Sequence, residues 1–144
     1  LYVIVENYYD QHASENAPIA HYSNSFYNFE DLQVVSNSTF PSASVKISRG
    51  ADILKASAVG SGPIDALYSA IADITKIDIK LVEYNISSVS RGKEALGKVK
   101  ITVEHEDEKY IAKAADTDIL RASALAYVNA INSIIAAKIS PVIV

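Results

Sequence analysis

The chain has 144 residues, 49% of them hydrophobic and 21% charged, with a net charge of -4 and neither cysteine nor methionine. That fits one globular domain able to bury most of its apolar surface without metals or disulfides, and it removes thiolate catalysis and cysteine-ligated metal from consideration. With an acidic balance and no Lys/Arg cluster, neither nucleic acid nor an anionic membrane is expected as a partner, because both are held by neutralising phosphates.

In chain order, Leu1, Val5 and Tyr8 share one helical face and predict a helix end, followed by a linker over residues 10–28 that is rich in Ser, Asn, His and Ala and has no sustained period. From Phe29 the pattern is regular. Strands are predicted over 32–36, 43–47 and 53–59, separated by turn material at 37–41 and 49–52. A helix follows from Pro63 to about Thr75, where Ile64, Leu67, Ile71 and Ile74 recur every three or four residues as one apolar stripe. Its start, Gly60-Ser61-Gly62-Pro63-Ile64-Asp65, is the most informative stretch of the chain. Two glycines withdraw the side chains that would keep a ligand off the backbone, proline at the first helical position wastes no donor, and the free N–H groups attract a carboxylate. Taken alone, a glycine pair before a helix is more often an ordinary tight turn than a binding site.

The second half repeats this order, with strands predicted over 77–88, 98–105 and 110–115 and a helix from Asp118 to about Ala136. Val45-Lys46-Ile47 matches Val99-Lys100-Ile101, and 58–62 falls opposite 114–118, a period of roughly 54 to 57 residues. The expected fold class is therefore α+β: a duplicated β-β-β-α unit, its two helices packed on antiparallel sheets. Asp116-Thr117-Asp118 takes the place of Gly60-Ser61-Gly62 and supplies side-chain oxygens to cap the second helix. Inward alternation through Ile77, Ile79 and Leu81 changes phase at Val82, Tyr84 and Ile86, the mark of a β-bulge. The last helix is apolar around most of its circumference, apart from a stripe through Asp118, Arg121, Asn129 and Asn132. It needs cover on two sides, one from its own sheet and the other from a neighbouring helix or a second subunit.

Catalytic signals are missing. His12, His21 and His105 lie in no triad or metal motif, and Glu104, Glu106, Asp107 and Glu108 read as a solvated hairpin turn. The glycine pair lacks both the Gly-Lys-Ser/Thr of a P-loop and the third glycine of a dinucleotide fingerprint. What remains is two helix starts, one per repeat, beside a strand carrying Leu81, Tyr84 and Ser88 and a small-residue turn over 91–97. Apolar walls with polar ends suit a small amphoteric ligand, although by themselves Leu81 and Tyr84 read more readily as ordinary core. No signal peptide and no uninterrupted apolar run of roughly 18 residues is present, so no membrane partner is expected and cytoplasm is the default compartment. A non-methionine start and the apolar tail Pro141-Val142-Ile143-Val144 suggest a piece of a longer polypeptide.

Several motifs, in order, carry a resemblance: Leu32-Gln33-Val34, Gly60-Ser61-Gly62-Pro63-Ile64-Asp65-Ala66, Glu83-Tyr84, Ser88-Val89-Ser90-x-Gly92, Ala95-Leu96-Gly97, and Asp116-Thr117-Asp118-Ile119 through Ala122-Ser123-Ala124. Over about Phe29 to Ile135 the chain resembles the C-terminal regulatory domain of 2-isopropylmalate synthase and the related citramalate synthase. The resemblance implies a homodimer that binds the end-product amino acid, leucine or isoleucine, near the dimer interface and so inhibits a distant catalytic barrel of the same polypeptide. The divalent metal and the condensation of acetyl-CoA with a 2-oxo acid belong to that barrel, so no cofactor and no catalytic residue is expected in this chain. Residues 1–28 would be the end of the linker subdomain before the regulatory domain at 29–144, whose repeats span about 29–76 and 77–136. Carried over motif by motif, the effector site comprises Gly62, Pro63 and Ile64 at the first helix start, Leu81 and Tyr84 as walls, and Ser88 on the same strand. Ala95 and Gly97 form the small-residue side, and Asp116, Asp118 and Ile119 close the second helix start. Asp65 or Asp118 would pair with the ligand ammonium. Ser61 and Ala115 depart from the family pattern and leave open a dimerisation-only domain without effector; a freestanding amino-acid sensor is the third reading.

Overall fold

The computed structural model describes residues 2–6, 25–37, 39–91 and 94–139. Strands and helices follow in the order β1 (Tyr2–Glu6), β2 (Tyr27–Val35), β3 (Ser42–Arg49), β4 (Asp52–Val59), α1 (Pro63–Thr75), β5 (Lys80–Arg91), β6 (Glu94–His105), β7 (Glu108–Asp116) and α2 (Ile119–Ile139). The duplicated β-β-β-α order is present as expected. One sheet is the antiparallel meander β2-β3-β4, and the other is β7-β6-β5, also antiparallel, with β1 added in parallel on the free edge of β7.

β1 corrects one expectation. The spacing of Leu1, Val5 and Tyr8 predicts a helix end, but Tyr2-Val3-Ile4-Val5 is a run of aromatic and β-branched residues that favours a pleated strand, and β7 offers it unpaired edge groups. The linker positions 10–24, together with Leu1, Tyr8, His12, His21, Gly92 and the tail 140–144, lie outside the described residues.

Inward alternation builds the core. Val45 and Ile47 on β3 and Val99, Ile101 and Val103 on β6 are buried, facing helices whose own apolar stripes meet them. α1 buries Ala66, Leu67, Ala70 and Ile71 against β3 and β4. Each such leucine or isoleucine contributes about 1.5–3 kcal/mol of burial. α2 lies on β7 and β6, and its second side is covered by β2 and α1 of the first repeat. It is long and apolar enough to cross a bilayer, yet 67% of that apolar window is buried inside the domain, as befits a helix shared by two layers.

The polar stripe on α2 also stitches the repeats together. Tyr27 opens β2, an edge strand, so its outward N–H and C=O have no strand partner. The Asn132 side chain replaces one: Oδ1 accepts from Tyr27 N–H at 2.9 Å, and Nδ2 donates to Tyr27 C=O at 2.8 Å. β2 therefore begins at Tyr27, ahead of the predicted Leu32.

Candidate functional site

On an uninterrupted strand, residues three apart face opposite ways. In β5, Leu81 pairs opposite Val103 while Glu83 pairs opposite Thr102 and Tyr84 opposite Ile101, so Val82 is an extra residue. This bulge, the one the phase change predicts, turns Leu81 and Tyr84 to the same side of the sheet as the buried Val103 and Ile101. Ile86 and Ser88 continue on that side, opposite Val99 and Gly97. β5 is the last strand of its sheet, and its inward side lacks the cover its neighbours enjoy: Leu81 is 40% and Ile86 52% exposed.

Between this uncovered side and α1 lies a cavity of about 480 Å³. Ile64, Asp65, Tyr68 and Ala72 line it from α1, Ile79, Leu81 and Tyr84 from the opposite wall, and Tyr127 from α2. Tyr68 packs between the other two tyrosines, 4.6 Å from the Tyr127 ring and edge-on to Tyr84 at 6.4 Å. Ser123 ties two of their hydroxyls to α2. Tyr68 O–H donates to the Ser123 carbonyl at 2.9 Å, and Ser123 Oγ donates its one proton to Ile119 C=O at 2.8 Å. Tyr84 is therefore the donor in the 2.6 Å contact between its hydroxyl and Ser123 Oγ. Burial, reinforced by the neighbouring Tyr84 and Tyr127, holds the Tyr68 phenol well above its ordinary range. Burial and then the Asp78 charge push Tyr127 up to about 12.

At the mouth, α1 begins without a side-chain cap, from an extended Gly62. A Cβ at Gly62 would meet nothing within 4 Å, so the helix start is open to approach. Gly60 differs, since a Cβ there would lie 2.8 Å from the backbone Ala66 Cα. Asp65 folds the loop onto the helix, its Oδ2 accepting from Ser61 N–H at 2.8 Å and from the Ser61 hydroxyl at 3.3 Å. Asp65 Oδ1 and the N–H groups of Ile64 and Asp65 have no partner among the described residues.

The second helix start is built differently. Asp118 Oδ1 caps α2 by accepting from Leu120 N–H at 2.9 Å, and Asp116 Oδ1 accepts from Asp118 N–H at 2.9 Å while its other oxygen faces Arg121 Nε at 3.6 Å. A Cβ on Gly97, which pairs opposite Asp116, would lie 2.9 Å from Ile119 Cγ1.

The expected site residues thus fall into two neighbouring groups. Ile64, Asp65, Leu81 and Tyr84 share the cavity, with Gly62 and Pro63 just before them on the chain. Gly97, Asp116, Asp118 and Ile119 gather at the α2 start, Ser88 sits exposed opposite Gly97, and Ala95 is exposed on β6. Ser123 joins the groups, one turn beyond Ile119 and bonded to Tyr84. Tyr68, Ala72, Ile79 and Tyr127 are additions to the expected set. Asp65, Tyr68 and Ala72 recur at helical spacing, a signal the sequence does contain, whereas nothing in the sequence brings Tyr127 of the second repeat to a cavity of the first. Among the described residues, no group of three or more His, Asp or Glu side chains converges as a metal site would.

Comparison with known proteins gives a consistent result. Residues 4–135 match the model of the LeuA allosteric (dimerisation) domain, a match that starts upstream of Phe29 and takes in part of β1. The chain is similar to the 2-isopropylmalate synthase of Geobacillus sp. (strain Y412MC10), 47% identical over 78% of this chain and 22% of the relative. It is 47% identical to that of Sediminispirochaeta smaragdinae over 67% of this chain and 19% of the relative. It is 42% identical to that of Pyrococcus furiosus over 75% of this chain and 22% of the relative. The chain thus spans about a fifth of the length of these curated relatives.

Proposed function

This chain belongs to the LeuA allosteric (dimerisation) domain family, and from that premise we propose that it is the regulatory domain of a 2-isopropylmalate synthase, working as a homodimer and binding leucine in the cavity between α1 and β5. The single observation that carries this reading is the make-up of that cavity: an apolar length walled by Leu81, Ile79 and Tyr84, with unpartnered N–H groups and a carboxylate oxygen at one end. A free amino acid has the complementary form. Its carboxylate would take the Ile64 and Asp65 N–H groups at the positive end of α1, its ammonium would face Asp65 Oδ1, and its aliphatic side chain would lie along Leu81 and Tyr84. Asp118 is the poorer ammonium partner, since its Oδ1 already caps α2.

The chain itself would perform no condensation. Acetyl-CoA, the 2-oxo acid and the divalent metal would be handled by a catalytic barrel elsewhere in the same polypeptide, which the effector would inhibit by binding one domain arrangement better than another. A coupling of about 1–3 kcal/mol suffices for such control. The Tyr84–Ser123–Ile119 hydrogen bonds give occupancy of the cavity a route to α2.

Calorimetric titration of the chain with leucine and, separately, isoleucine tests the proposal. Saturable binding of leucine in preference to isoleucine is expected. Preference for isoleucine would point to the citramalate synthase branch, and no binding of either by a folded dimer would leave dimerisation as the role.

A further inference from the structure

The three tyrosine hydroxyls at this cavity are not equivalent. Those of Tyr68 and Tyr84 are spent on Ser123. The Tyr127 hydroxyl has no hydrogen-bond partner among the described residues, although Tyr127 lines the cavity and is only 4% exposed. Its position along the cavity follows from the run of α2: Ser123, one turn earlier, is bonded to Tyr84, and the helix goes on to Lys138, 3.5 Å from Glu106, which is next to the His105 ring that contacts Asp78 C=O. Asp78 is the carboxylate that acts on it, and Asp78 immediately precedes the lining residue Ile79, beyond the C-terminal end of α1. Asp65 lies at the opposite end of the same helix face, and Asp65 to Ala72 spans about 10 Å at a rise of about 1.5 Å per residue. With its pKa at about 12, the phenol remains a neutral donor throughout the physiological range. The cavity is therefore polar at both ends and apolar between them.

We infer that Tyr127 is a specificity-determining residue that sets the length of apolar side chain the cavity accepts. The inference rests on the cavity being an amino-acid site. A branched side chain of leucine size, anchored at the Asp65 end, occupies the apolar stretch and leaves the Tyr127 hydroxyl hydrated. A longer hydrocarbon reaches that hydroxyl and buries it without a partner, and this penalty offsets whatever the extra methylene gains. A polar group at the tip of an equally long side chain meets the hydroxyl and is accepted.

The test is calorimetric titration of the full chain, as wild type, Tyr127→Phe and Tyr68→Phe, with leucine and with homoleucine, which is one methylene longer. Wild type is expected to prefer leucine. Tyr127→Phe keeps the ring packed on Tyr68 and deletes only the unpartnered hydroxyl, and it is expected to shift the leucine-to-homoleucine affinity ratio toward homoleucine by at least about fivefold. Tyr68→Phe removes a hydroxyl already committed to Ser123, so it is expected to leave the ratio within about twofold of wild type. A measurement on wild type alone guards against a variant that fails to fold: 5-hydroxynorvaline, whose side chain is as long as that of homoleucine but ends in an oxygen, is expected to bind more tightly than homoleucine. An unchanged ratio in folded Tyr127→Phe, or the reverse order for that pair in wild type, overturns the inference while the leucine reading stands. Absence of leucine binding by folded wild type overturns the leucine reading itself, and this inference with it.

Discussion

Replacing Asn132 by alanine isolates the contribution of one side chain to the union of the two repeats. Asn132 is 5% exposed, and its amide satisfies both the N–H and the C=O of Tyr27, itself 5% exposed, across a sequence separation of 105 residues. Alanine leaves one backbone donor and one acceptor buried without partners, each costing about 1–3 kcal/mol. Partial entry of water at the edge of β2 argues for the lower half of the sum, about 2–4 kcal/mol. A domain of this size has roughly 5–15 kcal/mol in all, so the loss is a large fraction of the whole and corresponds to a drop in Tm of about 8–15 °C. Asn132→Asp discriminates further, because it keeps an acceptor for the N–H but sets a carboxylate oxygen against the Tyr27 carbonyl; it should be no more stable than the alanine variant near neutral pH. Urea denaturation followed by circular dichroism, with Asn85→Ala on the exposed part of β5 as reference, measures these differences. If Asn132→Ala loses no more than the reference, about 0.5 kcal/mol, then α2 does not hold β2 through this amide.

The glycines make a paired prediction. Gly62→Ala adds a methyl to open space in an extended conformation and should change stability by less than about 0.5 kcal/mol, so any weakening of leucine affinity in a titration reports close approach of ligand to the α1 start. Gly97→Ala presses on Ile119 and should cost about 1–3 kcal/mol in urea denaturation. Ser123→Ala removes the acceptor for Tyr84 O–H and should cost about 1 kcal/mol; hydrogen exchange should quicken in β5 more than in β6, and equal change in both strands would refute the view that this bond holds β5 to α2. Tyr127 also creates a pH dependence. Its folded pKa of about 12 exceeds the unfolded value near 10, so the folded state holds the proton more tightly, and the stability this confers is complete below about pH 10 and lost as pH rises toward 12. Urea midpoints between pH 9 and 12 should fall less steeply in Tyr127→Phe than in wild type.

From β2 onward, the order of the elements and the fold class were determined by the sequence alone, because they depend on local periodicity. Alternation in β3 and β6, the three-and-four spacing of Ile64, Leu67, Ile71 and Ile74, and the match of Val45-Lys46-Ile47 to Val99-Lys100-Ile101 need no knowledge of what packs on what. The bulge at Val82 was legible for the same reason, since a break in period 2 is a local event with a fixed consequence for facing. The Asp118 cap, too, follows from residue type and position. Tertiary structure decided the rest. Tyr2-Val3-Ile4-Val5 favours a strand, but only the free edge of β7 beside it decides that β1 forms and where it pairs. Asn132 looked like part of a polar stripe on α2, but its meaning depends on an edge strand 105 residues away. A third of the expected site residues gather at the capped α2 start while the cavity opens beside α1, a division set by how the two repeats lean on each other. Tyr127 was unreadable in the sequence as a site residue because a hydroxyl becomes functional only when folding leaves it at a cavity with no partner of its own, and partnerships across repeats are made in three dimensions.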